Sequence, residues 1–184
     1  MSAYTVISGV TKTLASFLST ATGVSVEFDK SPAANISDAA PLIHLYLYRV
    51  ERNPFFTNND WPAPSPTVLQ EPPIGLNLFY LITPYGNGEL QVQMTLGEII
   101  KVFHQSPIIP PSAFDPSLAD TTEELRVVQH PLPFDQITDF WRSFAQKSYR
   151  LSITYEVSVV LIDSDVTRTV KRVAERHLEV RTLR

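Results

Sequence analysis

The chain has 184 residues, enough for one domain with a buried core, and its 43% hydrophobic and 18% charged residues are those of a globular protein rather than a disordered one. A formal net charge of −4 argues against nucleic acid as a partner. Cysteine is absent, which excludes disulfides, thiolate metal sites and cysteine nucleophiles, while 15 prolines against 6 glycines foretell long, stiff connections.

Ile7, Val10, Leu14, Phe17 and Leu18 recur at spacings of three and four, predicting an amphipathic helix over Tyr4–Thr20 that Gly23 stops. Lys12 interrupts the apolar character of Met1–Thr22, so no secretory leader is expected there. Val24, Val26 and Phe28 alternate with polar residues as a strand with one wet face. Pro41 opens a long strand to Val50, apolar or aromatic on both faces and therefore central. Asn53–Gln70 holds Pro54, Pro62, Pro64 and Pro66 around Trp61; since proline cannot donate to a ladder, this is an exposed connection.

Gly75–Thr83 is a second long strand, closed by a turn over Pro84–Gly88. Thr95–Gln105 reads as a helix capped by Thr95 with Glu98 three residues on, ended by Pro107, Pro110 and Pro111. A strand over Glu123–His130 and a helix over Phe134–Ser143 follow, the helix turning Ile137, Phe140, Trp141 and Phe144 inward. Ser148–Ile162 is the clearest strand, with Leu151, Ile153, Tyr155, Val157, Val159 and Leu161 expected on one face. Residues 166–184 fit either a helix or an interrupted alternation and are mostly basic at their polar positions; an extended strand or arm is favoured. The expected fold is α/β in the α+β sense: a single domain over residues 1–165, a mixed central sheet flanked by helices, and a C-terminal basic arm. No run approaches the roughly 18 apolar residues of a membrane-spanning helix, and no direct membrane contact is expected.

Residues that could carry chemistry are scattered. There is no phosphate loop, nucleophile elbow or zinc helix. His44, His104, His130 and His177 fall on four separate segments, Asp135 and Asp139 suit a helix start and its wet face, and Asp163-Ser164-Asp165 lacks the twelve-residue calcium loop. No catalytic residue, metal or cofactor is expected. Tyr46, Tyr48, Phe79, Tyr80, Phe140, Trp141 and Tyr155 are read as core rather than as a stacking platform. Trp61 is different: set among prolines and polar residues, it either plugs back onto its own domain or contacts a neighbour. The candidate interface is Trp61 with Phe55 and Phe56 in the proline-rich loop, and Arg168, Val170, Arg172, Arg176, Leu178, Val180 and Arg181 in the tail.

The run Leu45-Tyr46-Leu47-Tyr48-Arg49-Val50 with Asn53 and Asn58-Asn59, then Pro72-Pro73 ahead of Leu76 and Tyr80-Leu81-Ile82-Thr83, carries a resemblance. So do Leu96-Gly97 with Phe103-His104 and Pro107, Leu132-Pro133 leading to Phe140-Trp141, and Tyr149-Arg150-Leu151-Ser152 with Tyr155-Glu156-Val157. In this order they resemble the amino-terminal domain of the cap, or tail-terminator, proteins of phage-tail-like contractile injection systems. The resemblance implies an α/β domain similar to phage tail terminators, forming a ring (expected to be a homohexamer) on the end of the inner tube and contractile sheath far from the baseplate. It implies an arrest of polymerisation, attachment of sheath to tube, assembly in the bacterial cytoplasm, and no catalytic residues. Members are often followed by more chain, so a role in an extra domain is not implied for these residues. An aromatic-loop module binding carbohydrate or peptide is the alternative, and an enzyme built on His104 or Asp135 comes last.

Overall fold

The computed structural model describes residues 4–32, 34–56, 60–118, 124–144 and 148–171, apart from the side chain of Val159. Helix α1 (Val6–Thr22) ends on Gly23, whose left-handed φ of 69° lets its N–H reach the Ser19 carbonyl at 2.9 Å. Strand β1 (Ser25–Glu27) is followed by β2 (Leu42–Arg52), β3 (Val68–Gln70) and β4 (Ile74–Tyr85). Helix α2 (Glu89–Gln105) precedes β5 (Ile108–Ile109) and β6 (Leu125–Gln129); α3 (Phe134–Ser143), β7 (Ile153–Ile162) and β8 (Thr167–Thr169) complete the order.

Six strands form one mixed sheet in the order β1-β2-β4-β7-β6-β5, parallel only between β1 and β2. Strand β4 is central, and its residues from Leu78 to Tyr85 are all buried because both faces are covered. On one face Val10, Leu14 and Leu18 of α1 and Ile99 and Phe103 of α2 meet Ile43, Leu45, Leu78, Tyr80 and Val157. The Tyr80 hydroxyl, 2.9 Å from Thr11 Oγ1, finds its partner inside this core. On the other face Ile137 and Trp141 of α3 close over Leu81, with Tyr48, Phe140 and Phe144 around them. Phe79, Tyr80, Trp141 and Tyr155 are thus core, as the sequence indicates, while Tyr46, Tyr48 and Phe140 are half-buried at its edge.

Four expectations need correction. Helix α2 begins at Glu89, six residues before Thr95; Thr95 is 1% exposed on its inner face and caps nothing. Pro84 and Tyr85 belong to β4, opposite Ile43 and Leu42, so the turn starts only at Gly86. Strand β7 starts at Ile153 rather than Ser148. Its single face also breaks: Leu78 pairs with Val157 but Leu76 with Val160, a bulge that inserts one residue and flips the phase. Val160, 1% exposed, therefore joins Ile153, Tyr155 and Val157 in the core, while Leu161 is only half-buried. A second bulge in β2 between Leu47 and Arg49 lets Tyr48 and Arg49 both approach the Phe79 ring, the guanidinium at 4.1 Å.

The proline-rich connection after α2 folds back on the domain. Leu118 is 1% exposed, and the Asp115 N–H donates to the buried Thr13 hydroxyl of α1 at 2.8 Å. Gly9 permits this approach, since a Cβ there would sit 2.4 Å from Ser117 Oγ.

Candidate interaction surface

The loop around Trp61 and the start of the tail, nearly a hundred residues apart in sequence, form one structure. Strands β3 and β8 make a separate antiparallel ribbon, with Val68 opposite Thr169, Leu69 opposite Arg168 and Gln70 opposite Thr167. The β-branched run Val166-Thr167-Arg168-Thr169-Val170 suits a strand. Its ends are fastened by Glu71 N–H to the Val166 carbonyl at 2.9 Å and Val170 N–H to the Thr67 carbonyl at 2.8 Å. Beneath it the Ser164 hydroxyl donates to Glu71 Oε2 at 2.5 Å, and Gln70 Nε2 donates to the Ser164 carbonyl at 3.0 Å. The loop closes on the same ribbon through Gln70 N–H to the Pro62 carbonyl at 2.9 Å.

Trp61 lies half-buried under this ribbon, with the Arg168 guanidinium 4.4 Å from its ring centroid. The indole plugs onto its own tail. Two of the candidate interface residues, more than a hundred positions apart in sequence, are therefore neighbours. Val170 is half-buried beside them; Arg172, Arg176, Leu178, Val180 and Arg181 lie outside the described residues.

Phe55 and Phe56 part company. Phe56 covers Gly75, where a Cβ would come within 2.7 Å of it, so this ring is held by its own domain. Phe55 stands 87% exposed. The turn that presents it is built on Asn53, itself only 7% exposed. Asn53 Nδ2 donates to Asn77 Oδ1 at 2.9 Å, Asn53 Oδ1 accepts from the Phe55 N–H at 3.0 Å, and the Asn53 N–H donates to the Gly75 carbonyl at 2.8 Å.

Leu90 and Met94, which the sequence reading leaves outside the helix, are 76% and 64% exposed on the outward face of α2. Ile100, whose spacing sets it on one side with Leu96, Ile99 and Phe103, is 40% exposed and with Val128 flanks a groove beside the helix. The periodicity of α2 would reveal this stripe once the helix is started at Glu89, because Leu90 and Met94 fall opposite Ile99 and Thr95.

The titratable residues assemble no reaction centre among the described residues, and no group of three or more acidic, histidine or cysteine side chains is placed to hold a metal there. His44 is fully buried, its Nε2 lying 3.0 Å from the Lys30 carbonyl and its Nδ1 without a partner; burial pushes its pKa below the ordinary value. His104 is exposed near the end of α2, while His130 stacks edge-on against Phe79 at 4.9 Å. Asp135 is exposed in the first turn of α3, and Asp139 pairs with Arg142 at 3.0 Å. A groove of about 560 Å³ is lined by a two-pronged pair: Arg150 Nη1 and Nη2 reach Asp38 Oδ1 and Oδ2 at 2.8 and 2.9 Å. Those hydrogen bonds hold Asp38 below and Arg150 above their ordinary pKa values, so the facing charges satisfy each other.

The sequence profile of the Pvc16 N-terminal domain matches residues 6–176. The chain belongs to the Pvc16 N-terminal domain family. None of the curated proteins compared with it matches. Among solved structures, the sheath/tube terminator of the extracellular contractile injection system PVC, in its extended state, superposes with a TM-score of 0.70 at 14% identity, covering 100% of this chain and 65% of that one. The tube-terminating cap of the anti-feeding prophage superposes with a TM-score of 0.64 at 19% identity, covering 95% and 60% respectively. The chain thus spans less than two thirds of the length of either protein. At these identities the likeness is one of fold.

Proposed function

We propose that this chain is the terminator domain of a contractile injection particle. It forms a ring on the baseplate-distal end of the inner tube and sheath, ends their polymerisation and holds one to the other. The observation that carries this reading is the superposition of the entire chain on a protein described as a sheath/tube terminator, together with membership of the Pvc16 N-terminal domain family. The domain supports it by what it offers: a rigid sheet covered on both faces, exposed apolar side chains on firmly held elements, and no convergent nucleophile, base and oxyanion donor among the described residues. Its action is binding rather than catalysis.

Within this reading the ring is a homohexamer of identical subunits, assembled in the bacterial cytoplasm and carried by the particle, with no nucleic acid or membrane contact. Residues 166–184 act as the arm toward the sheath, of which Thr167–Thr169 is already extended as β8. The covering of Trp61 by Arg168 disfavours an open aromatic ligand site.

The test is assembly of cognate tube and sheath subunits with and without the full chain. Added chain is expected to narrow and shorten the length distribution and to place ring density at one end. Unchanged lengths with bare ends would overturn the reading. Removing residues after Lys171, which leaves the β3–β8 ribbon intact, is expected to preserve folding and weaken attachment to sheath.

A further inference from the structure

An exposed phenylalanine is ordinary by itself and becomes a candidate contact where the backbone beneath it is rigid and a matching apolar groove exists. Phe55 meets the first condition. Pro54 fixes the preceding backbone, the buried Asn53 hydrogen-bonds to Gly75, Asn77 and Phe55 itself, and Phe56 anchors the turn over Gly75. The ring is presented as a preorganised knob.

The same chain carries a receptor of matching chemistry. Between α2 and β6 lies a groove of about 370 Å³ whose floor is Phe103 and Tyr155, with ring centroids 4.7 Å apart, and whose walls include Ile100 and Val128. Phe103 and Tyr155 are 3% and 4% exposed, whereas Ile100 and Val128 are 40% and 49% exposed, so the apolar part of the rim is wet, and the exposed His104 and Gln129 share that rim. An aromatic floor favours the edge or offset approach of a further ring. Leu90 and Met94 on α2 and Ile108 on β5 are further exposed apolar residues. At Gly97 the helix is bare, since a Cβ there would meet nothing within 4 Å. With Ile100 and Val128, Leu90, Met94 and Ile108 expose on the order of 500 Å², a substantial share of the roughly 800 Å² that one partner brings to a standard interface.

Phe55 leaves the sheet after β2, while the groove lies over β7 and β6. The path from β2 through β4 and β7 to β6 crosses three ladder spacings, roughly 14 Å. Knob and groove thus occupy different flanks of one subunit. We propose that Phe55 of one copy inserts into the α2–β6 groove of the next, head to tail, and that this is the contact that closes the ring. The proposal rests on the ring reading above; it adds which surfaces meet. A repeated contact between two different patches generates a closed ring when its rotation closes.

The absence of native cysteine makes the test direct. The full chain carrying Arg52→Cys, which keeps the Phe55 ring, and Val128→Cys is treated with a short bis-maleimide, both free and bound to tube and sheath. A ladder of covalent multimers is expected, at least about tenfold above an Arg52→Cys/Asp139→Cys control on the opposite helix, because docking raises the effective concentration of the paired thiols, and Phe55→Ala added to the first pair is expected to abolish it. An equimolar mixture of the two single variants is expected to stop at the dimer. Ile108→Cys provides a second acceptor position should Val128→Cys disturb β6. No ladder from either acceptor position, or a product that ends at the dimer in the doubly substituted chain, would overturn the proposal. Retained end-capping without a ladder removes this contact and leaves the terminator reading standing; a ladder without binding to tube or sheath does the reverse.

Discussion

The Arg168 guanidinium lies 4.4 Å above the ring of Trp61, joining the tail to a loop more than a hundred residues earlier. Both side chains carry this contact at the surface of a two-stranded ribbon, an element that is marginal by itself in water. The contact therefore sets the order of the ribbon rather than the stability of the domain.

Trp61→Ala and Arg168→Ala are each expected to speed amide exchange at Val68–Gln70 and Thr167–Thr169 while leaving the global urea midpoint nearly unchanged. A double-mutant cycle read from local exchange is expected to give a coupling of about 0.5–1 kcal/mol, the range for an exposed cation–π pair. Equal exchange rates in all four proteins would show that the ladder alone holds the ribbon.

Trp141 is 1% exposed and fills the smaller core between α3 and the sheet. Trp141→Ala is expected to cost about 3–5 kcal/mol in urea denaturation, since an emptied aromatic site in a close-packed interior seldom collapses fully. A loss below about 1 kcal/mol would mean that α3 contributes little to the fold.

Gly75 faces Phe56 so closely that an added Cβ would lie 2.7 Å from the phenylalanine Cβ. Gly75→Ala is expected to destabilise by roughly 1–3 kcal/mol and to shift the turn that carries Phe55. It should also lower the yield of any cross-link from position 52, which an exposed control on α1 such as Ser16→Ala leaves unchanged.

His44 is buried as the neutral imidazole. Burial lowers its pKa and outweighs the Lys30 carbonyl and the nearby Glu27 and Asp29, which favour the charged form; Lys30 opposes it. Tyr46 and Tyr85 lie against its ring, and Thr83 stands opposite it in β4. The unfolded chain therefore takes up a proton that the fold resists, so this contribution to stability is present above about pH 6.5 and is lost as the pH falls below it. The urea midpoint is expected to drop between about pH 7.5 and 5.5, and to drop less in His44→Gln, which keeps a donor for Lys30. An identical pH slope in both proteins would assign the effect elsewhere.

Much of the domain is legible from periodicity, because α1, α3, β2, β4 and β6 each bury a face whose spacing repeats within the element. Val10, Leu14 and Leu18 on α1, and Ile137 with Trp141 on α3, are placed inward by their spacing alone. The start of α2 was hidden because its first turn puts Leu90 outward, so the apolar period does not begin where the helix does. The reversal of face in β7 was equally hidden, since a bulge adds one residue without changing the run of apolar letters.

By itself the sequence determined an α+β domain, its central strands, its buried aromatics and its resemblance to tail terminators, all of which rest on local patterning and the order of motifs. Only the tertiary structure decided that Trp61 belongs beneath Arg168, that Phe56 is anchored while Phe55 is not, and that Ile100 and Val128 border one groove. These are pairings between distant segments. Their energy depends on register and close approach, and neither is encoded in the period of any single element.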